Sequence, residues 1–176
     1  MKPPYALIAC TVLAAAVPAA AQTPPPSAAA EIGALMQAGR SDEALQRADY
    51  RLKDNPRDAQ VRFMRGVILA GQGKTVEATV AFETLTQEFP ELPEPYNNLA
   101  VIHAAQGRHE SAQRLLQQAL LAQPNYVTAY ENLGDLYLSM AEHAYGRALG
   151  LDADNRAAKA KLEAARELNM RIRALR

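Results

Sequence analysis

The sequence predicts an all-α protein: a short solenoid of stacked helical hairpins, closed by one further amphipathic helix. Three observations carry that expectation. Pro56, Pro90 and Pro124 recur every 34 residues, and a fixed period of that length marks stacked repeats. Small residues keep the same register, with Gly66, Ala100 and Gly134 at one position, Gly39, Gly73 and Gly107 at a second, and Ala44, Ala78 and Ala112 at a third. Alanine is abundant, Trp is absent and aromatics are only 6% of the chain, which suits closely packed helices better than a β-sandwich.

The chain begins with a segment that reads as an export signal. MKPPY carries one Lys, ALIACTVLAAAV is apolar, Pro18 breaks the run, and small residues follow. That is signal-peptide anatomy, and the run is too short for a membrane-spanning helix of about 20 residues. Residues 1–21 are therefore expected to be a cleaved signal peptide. LIAC also resembles a lipobox in which Cys10 would be lipidated, but only nine residues precede that Cys, so plain export is the preferred reading. The rest of the chain holds no cysteine, which leaves no disulfide, thiol nucleophile or thiolate metal site. Residues 22–30, QTPPPSAAA, read as an extended Pro/Ala-rich spacer.

The repeat array is expected over residues 31–154, in units at about 25–58, 59–92 and 93–126, with a shortened unit at 127–154. Gly39, Gly73 and Gly107 follow apolar runs, as helix-ending glycines do. Ser41, Thr75 and His109 or Ser111 stand at or near the starts of second helices, and Ser and Thr are good caps. The three prolines separate the units, because proline breaks a helix interior. The last unit lacks the turn: no Gly, Pro or Asn interrupts between Leu136 and Tyr145, and a helical hairpin needs a connection of roughly 2–8 residues. One continuous helix is therefore expected over 127–149. Residues 155–176 repeat Ala158, Leu162, Ala165, Leu168, Ile172 and Leu175 at helical spacing, giving a basic amphipathic helix that would cap the stack.

In the third unit Tyr96, Leu99, Ala100, Ala112, Leu116, Ala119 and Pro124, and in the second Gly66, Leu69, Gly73, Ala78, Phe82 and Pro90, make the chain resemble the tetratricopeptide (TPR) family. LPEPYNNLAV followed by a shortened last unit is also similar to a group of exported bacterial TPR proteins. The resemblance implies a right-handed superhelix whose first helices line a concave, polypeptide-binding groove. Carried over by register, the strip holds Gln60, Phe63, Met64 and Val67, then Glu94, Asn97, Asn98 and Val101, then Thr128, Glu131, Asn132 and Asp135. Asn98 and Asn132 share a repeat position at which some relatives bond a bound peptide's backbone. An amide suits that task, since it offers both donor and acceptor; the same amide can equally satisfy its own local backbone. The strip has no Lys and three carboxylates, which disfavours the family's carboxylate clamp and favours an uncharged or basic segment.

Catalytic constellations are absent from the sequence. His103, His109 and His143 form no H-x-x-x-H or H-E-x-x-H pair, and the GQGK of the second unit falls on a helix-to-helix turn. No metal or cofactor is expected. Nineteen Lys/Arg balance nineteen Asp/Glu, so the overall charge does not point to nucleic acid. From Asn155 onward seven Lys/Arg face only Glu163 and Glu167. The sequence thus reads as a non-enzymatic, periplasmic or secreted interaction module that binds a protein or peptide in its groove and could scaffold an envelope complex. The alternative is a peripheral cell-wall or membrane-associated protein acting through the basic C-terminal helix.

Overall fold

The computed structural model describes residues 27–174. The expected signal peptide, Cys10 and the proline run of the spacer lie outside the described residues. Within them the chain is helical throughout: α1 (Ala28–Gln37), α2 (Ser41–Asp54), α3 (Ala59–Gly71), α4 (Thr75–Glu88), α5 (Pro93–Ala105), α6 (His109–Ala122), α7 (Val127–Leu151) and α8 (Arg156–Ala174). Each helix packs on the next, and α1 also meets α3 as α5 meets α7. That is the connectivity of stacked hairpins in which the first helices run side by side.

The helix-to-helix turns are alike because one backbone solution is used three times. Gly39, Gly73 and Gly107 take φ of 71°, 73° and 74°, a region closed to most L-residues. At the first turn Gly39 N–H donates to the Met36 carbonyl and Arg40 N–H to the Leu35 carbonyl, at 3.0 and 2.9 Å. Gly73 with Lys74, and Gly107 with Arg108, repeat the pair. These are Schellman closures, which satisfy the last carbonyls of the first helix.

The tightness of that closure overturns the expected caps. The residue after each glycine is already the helix N-cap, so Arg40, Lys74 and Arg108 occupy it without a side-chain cap bond. Ser41 and Thr75 fall one place too late and His109 likewise opens the helix proper. The spacer is also shorter than expected. Ser27 Oγ accepts from Ala30 N–H, and this cap lets the three alanines Ala28–Ala30 start α1 inside the stretch read as spacer. Short α1 is then tied down by Glu31, which accepts from Arg47 at 2.8 and 3.0 Å and from Arg51 at 2.9 Å. Arg51 and then Arg47 hold the Glu31 carboxyl below its ordinary range.

Three apolar clusters run along the stack, at the junctions of α1–α3, α3–α5 and α5–α7. In the middle one Phe82 is fully buried against Gly66, where a Cβ would stand 2.6 Å from the ring. The last hairpin is straightened: α7 is unbroken for 25 residues. Helix α8 returns along it, with Ala158, Leu162 and Ala165 buried, Arg166 and Asn169 both on Glu142, and Lys161 over the Tyr145 ring at 5.6 Å. Helix α8 thus stands at the end of the stack as the expected capping helix. It packs on the later turns of α7 and leaves Tyr130 and Tyr137, on the earlier turns, 56% and 47% exposed.

The Gly66–Phe82 contact yields a test. Gly66→Ala should destabilise by about 1–3 kcal/mol through overpacking, whereas Gly146→Ala, inside α7 with nothing within 4 Å, should stabilise by about 0.5–1 kcal/mol through helix propensity. Urea unfolding of both variants checks the pair, and a Gly66→Ala protein as stable as its parent would refute the close packing.

Candidate functional site

The first helices α3, α5 and α7 present the strip expected to face the groove, but its members have different fates. Phe63 is half-buried and makes a tilted ring pair with Phe82, centroids 5.8 Å apart, while Val67 packs into the same cluster. Both belong chiefly to the core between the second and third units. Asn98 is half-buried and its Nδ2 donates to the Glu94 carbonyl of its own helix at 2.9 Å. The amide spacing invites this, since position i−4 is one turn back.

Asn97 and Asn132 form a side-chain link between neighbouring units. Asn97 is 5% exposed, and its Oδ1 accepts from Asn132 Nδ2 at 2.8 Å. A buried amide needs such a partner, since leaving it unbonded would cost about 1–3 kcal/mol. The bond fixes α5 and α7 at one spacing and orients Asn132 at the groove wall. Here the two adjacent asparagines of PYNNLA divide the labour. Asn97 reaches across to the next unit, whereas Asn98 turns back on its own helix.

Val101, Asn132 and Asp135 come together in a cleft of 290 Å³ between α5 and α7. Ser139 and Glu142 from the straightened part of α7, and Asn169 and Ile172 from α8, complete its wall. Val101 is 48% exposed, an apolar contact with room beside it; Glu131, also exposed, stands on the same helix as Asn132. Asn169 and Ile172 were not expected in the site. Ile172 was read only as part of a capping stripe, because its position depends on how far α8 runs back along α7. A wider hollow of 610 Å³ lies between α2 and α4. Its cations Arg62 and Arg65 are already held by Glu88 and Asp49, so it offers little recognition chemistry.

The cleft is amide-rich, and of its two carboxylates Glu142 is already held by Arg166 and Asn169. Asp135 and Glu142 line it with two amides, Asn132 and Asn169, and Glu142 accepts from Asn169 Nδ2 at 2.7 Å. Among the described residues no three His, Cys, Asp or Glu side chains converge to hold a metal ion. His103, on α5, is half-buried; burial and then Arg108 hold its pKa below the ordinary 6.5.

Residues 30–93 and 69–136 each match the tetratricopeptide repeat. The chain belongs to the tetratricopeptide repeat family. It is 34% identical over 134 residues to the protein O-mannosyl-transferase TMTC3 of Mus musculus, a match that covers 71% of this chain but 13% of the transferase. Among solved structures it is similar to YrrB, a TPR protein with an unusual peptide-binding site, at 25% identity and TM-score 0.54, over 59% of this chain and 54% of that one. It is also similar to TTC0263, a thermophilic TPR protein of Thermus thermophilus, at 23% identity and TM-score 0.60, over 78% and 79% of the two chains. The latter likeness concerns the fold alone.

Two outcomes follow for this TPR protein. Asn132→Ala should cost about 1–2 kcal/mol by leaving the Asn97 carbonyl buried without its partner, while Asn98→Ala should stay within about 0.5 kcal/mol; equal losses in thermal melts would contradict the assignment. For His103 the folded pKa is depressed, so the unfolded chain binds the proton first as pH falls through about 6.5. Stability should drop between pH 7 and 5, and His103→Gln should flatten part of that drop.

Proposed function

We propose that the protein is a non-enzymatic interaction module that holds an extended, uncharged or basic polypeptide segment in the α5–α7–α8 cleft. The observation that carries this reading is the cleft itself, with an exposed Val101 beside a braced Asn132 and a carboxylate-lined wall. Asn132 Oδ1 would accept a peptide N–H, Val101 would contact an apolar side chain, and Asp135 with Glu131 would favour a Lys or Arg nearby. The strip carries no Lys, so a segment ending in a free carboxylate or rich in acid would be repelled. Membership of a family that includes a structure with a peptide-binding site supports the class of ligand. The likeness to TMTC3 covers too little of that protein to bring a transferase activity with it.

The basic α8 is a weaker basis for surface binding. Lys161 lies over Tyr145 and Arg166 is paired with Glu142, so two of its cations are engaged by α7, while Arg171 stands near Glu167 of its own helix. No helix among the described residues is long and apolar enough to cross a membrane. An envelope location remains part of the proposal, on the strength of residues 1–21 as an export signal. Residues 1–21 fused to a reporter that is active only outside the cytoplasm should switch it on.

A peptide array, followed by titration of the best sequences, tests the groove. Basic or neutral segments should be retained, and a Glu131→Lys, Asp135→Lys variant should weaken them by about tenfold. Unchanged affinity in that variant, or selective capture of acidic C-terminal peptides, would overturn the reading.

A further inference from the structure

The shortened last unit still contains its second helix, fused to the first. Counting back 29 residues instead of 34, the span of the lost turn, Ala141, Tyr145 and Ala148 fall on Ala112, Leu116 and Ala119 of α6. The backbone keeps the same register. The C-cap Asp152 of α7 has φ −143° and ψ 94°, and the C-cap Gln123 of α6 has −140° and 99°.

In every complete unit the first-helix position of Gly66 and the second-helix position of Phe82 share one volume. The pairs are Ile32 with Ala48, Gly66 with Phe82, and Ala100 with Leu116, all buried. Each pair combines a large residue with a small one, and Ile32 with Ala48, and Ala100 with Leu116, each lie in one buried cluster. The fourth pair by register is Gly134 with Tyr145, but these lie on one continuous helix, 11 residues and about 16 Å apart, and cannot touch. Tyr145 is instead packed under α8, with Lys161 over its ring. Gly134 is exposed, and a Cβ there would meet nothing within 4 Å.

The uncovered surface is wider than one glycine. Val127, Tyr130, Gly134 and Tyr137 fall within an arc of about 80° on the early turns of α7, and the three large members are 65%, 56% and 47% exposed. It continues the helix-on-helix interface that fills each complete unit, at the point where the chain's own second helix is missing. Helix α8 does not supply the cover: its end turns toward Asp135 and Ser139, where Asn169 and Ile172 line the cleft.

The spacing of the patch matches itself in reverse. Tyr130 lies four residues before Gly134 and Tyr137 three after, so a second α7 crossing antiparallel over Gly134 sets each Tyr130 beside the other copy's Tyr137. The small residue sits at the crossing, where the backbones approach most closely, and the aromatics lie on either side. Such a contact is isologous and closes with two-fold symmetry. We propose that this face of α7 is the interface with a second copy of the chain, each copy covering the position that the other's last unit leaves open.

Sedimentation of the full chain over a range of concentrations tests this. The parent should be a dimer. Gly134→Arg, placed where the monomer has open space, should raise the dissociation constant at least about tenfold, with an unchanged far-UV spectrum at low temperature. Gly150→Arg, equally open but beyond the patch, should leave it within about threefold. In a Cys10→Ser background, Gly134→Cys should crosslink to its own copy on mild oxidation, whereas Gly150→Cys should not. A monomeric parent, a Gly134→Arg protein that dimerises as tightly, or equal crosslinking at the two positions would each overturn the proposal. Peptide binding in the groove is read separately and does not bear on any of these outcomes.

Discussion

At Gly66 a methyl group would stand 2.6 Å from the Phe82 ring, and the rest of the stack depends on that closeness. Two helices joined by a short Schellman turn have no freedom to drift apart, so the space between them must be filled by residues whose sizes sum correctly. The units solve this differently: Ile32 over Ala48, Phe82 over Gly66, Leu116 over Ala100. Interiors are packed like organic crystals, and the compensation lets each unit fill the space between its own two helices despite the changes. Where α5 and α7 come together, Asn97 and Asn132 of neighbouring units meet at 2.8 Å. The groove wall is thus partly a product of buried volume, and one of the pairs, Ala100 with Leu116, also lines the cleft.

The period was legible because its markers are conformational. Gly39, Gly73 and Gly107 are needed for positive φ, and Pro56, Pro90 and Pro124 stand in the turns between units; neither role can be filled by most residues, so both show in the sequence. The helix starts were harder. Ser41 and Thr75 look like caps, but the Schellman turn gives the cap position to Arg40 and Lys74, and a shift of one residue is invisible to composition. The continuous α7 was readable from what is missing between Leu136 and Tyr145, since a reversal needs residues to make it.

The groove was only half legible, for a related reason. Register placed Val101, Asn132 and Asp135 on one strip, and the cleft contains all three. Register could not say that Phe63 would be drawn into a ring pair with Phe82, nor that Asn98 would bond Glu94 and leave Asn97 to reach across. Those choices depend on side-chain distances of about an ångström. Asn169 and Ile172 were hidden more deeply. They reach the cleft because α7 is straight and α8 returns along it; with the usual reversal the same residues would stand elsewhere.

Removing a turn therefore has two structural effects. It carries α8 back to the groove, adding an amide and an apolar side chain to a wall that the first helices alone would leave open. It also strips the neighbour from Gly134, which elsewhere in the stack would be covered by the chain's own second helix. The two surfaces are on different sides of α7: the strip of Glu131, Asn132 and Asp135 is turned roughly 140° from Tyr130, Gly134 and Tyr137. A ligand in the cleft and a second copy on the open face would not compete for space. Both would bear on one rigid helix, whose position is set by the α5–α7 cluster and by the Asn97–Asn132 bond. Loosening that bond would be expected to disturb both proposed surfaces at once, which ties them to the buried amide pair.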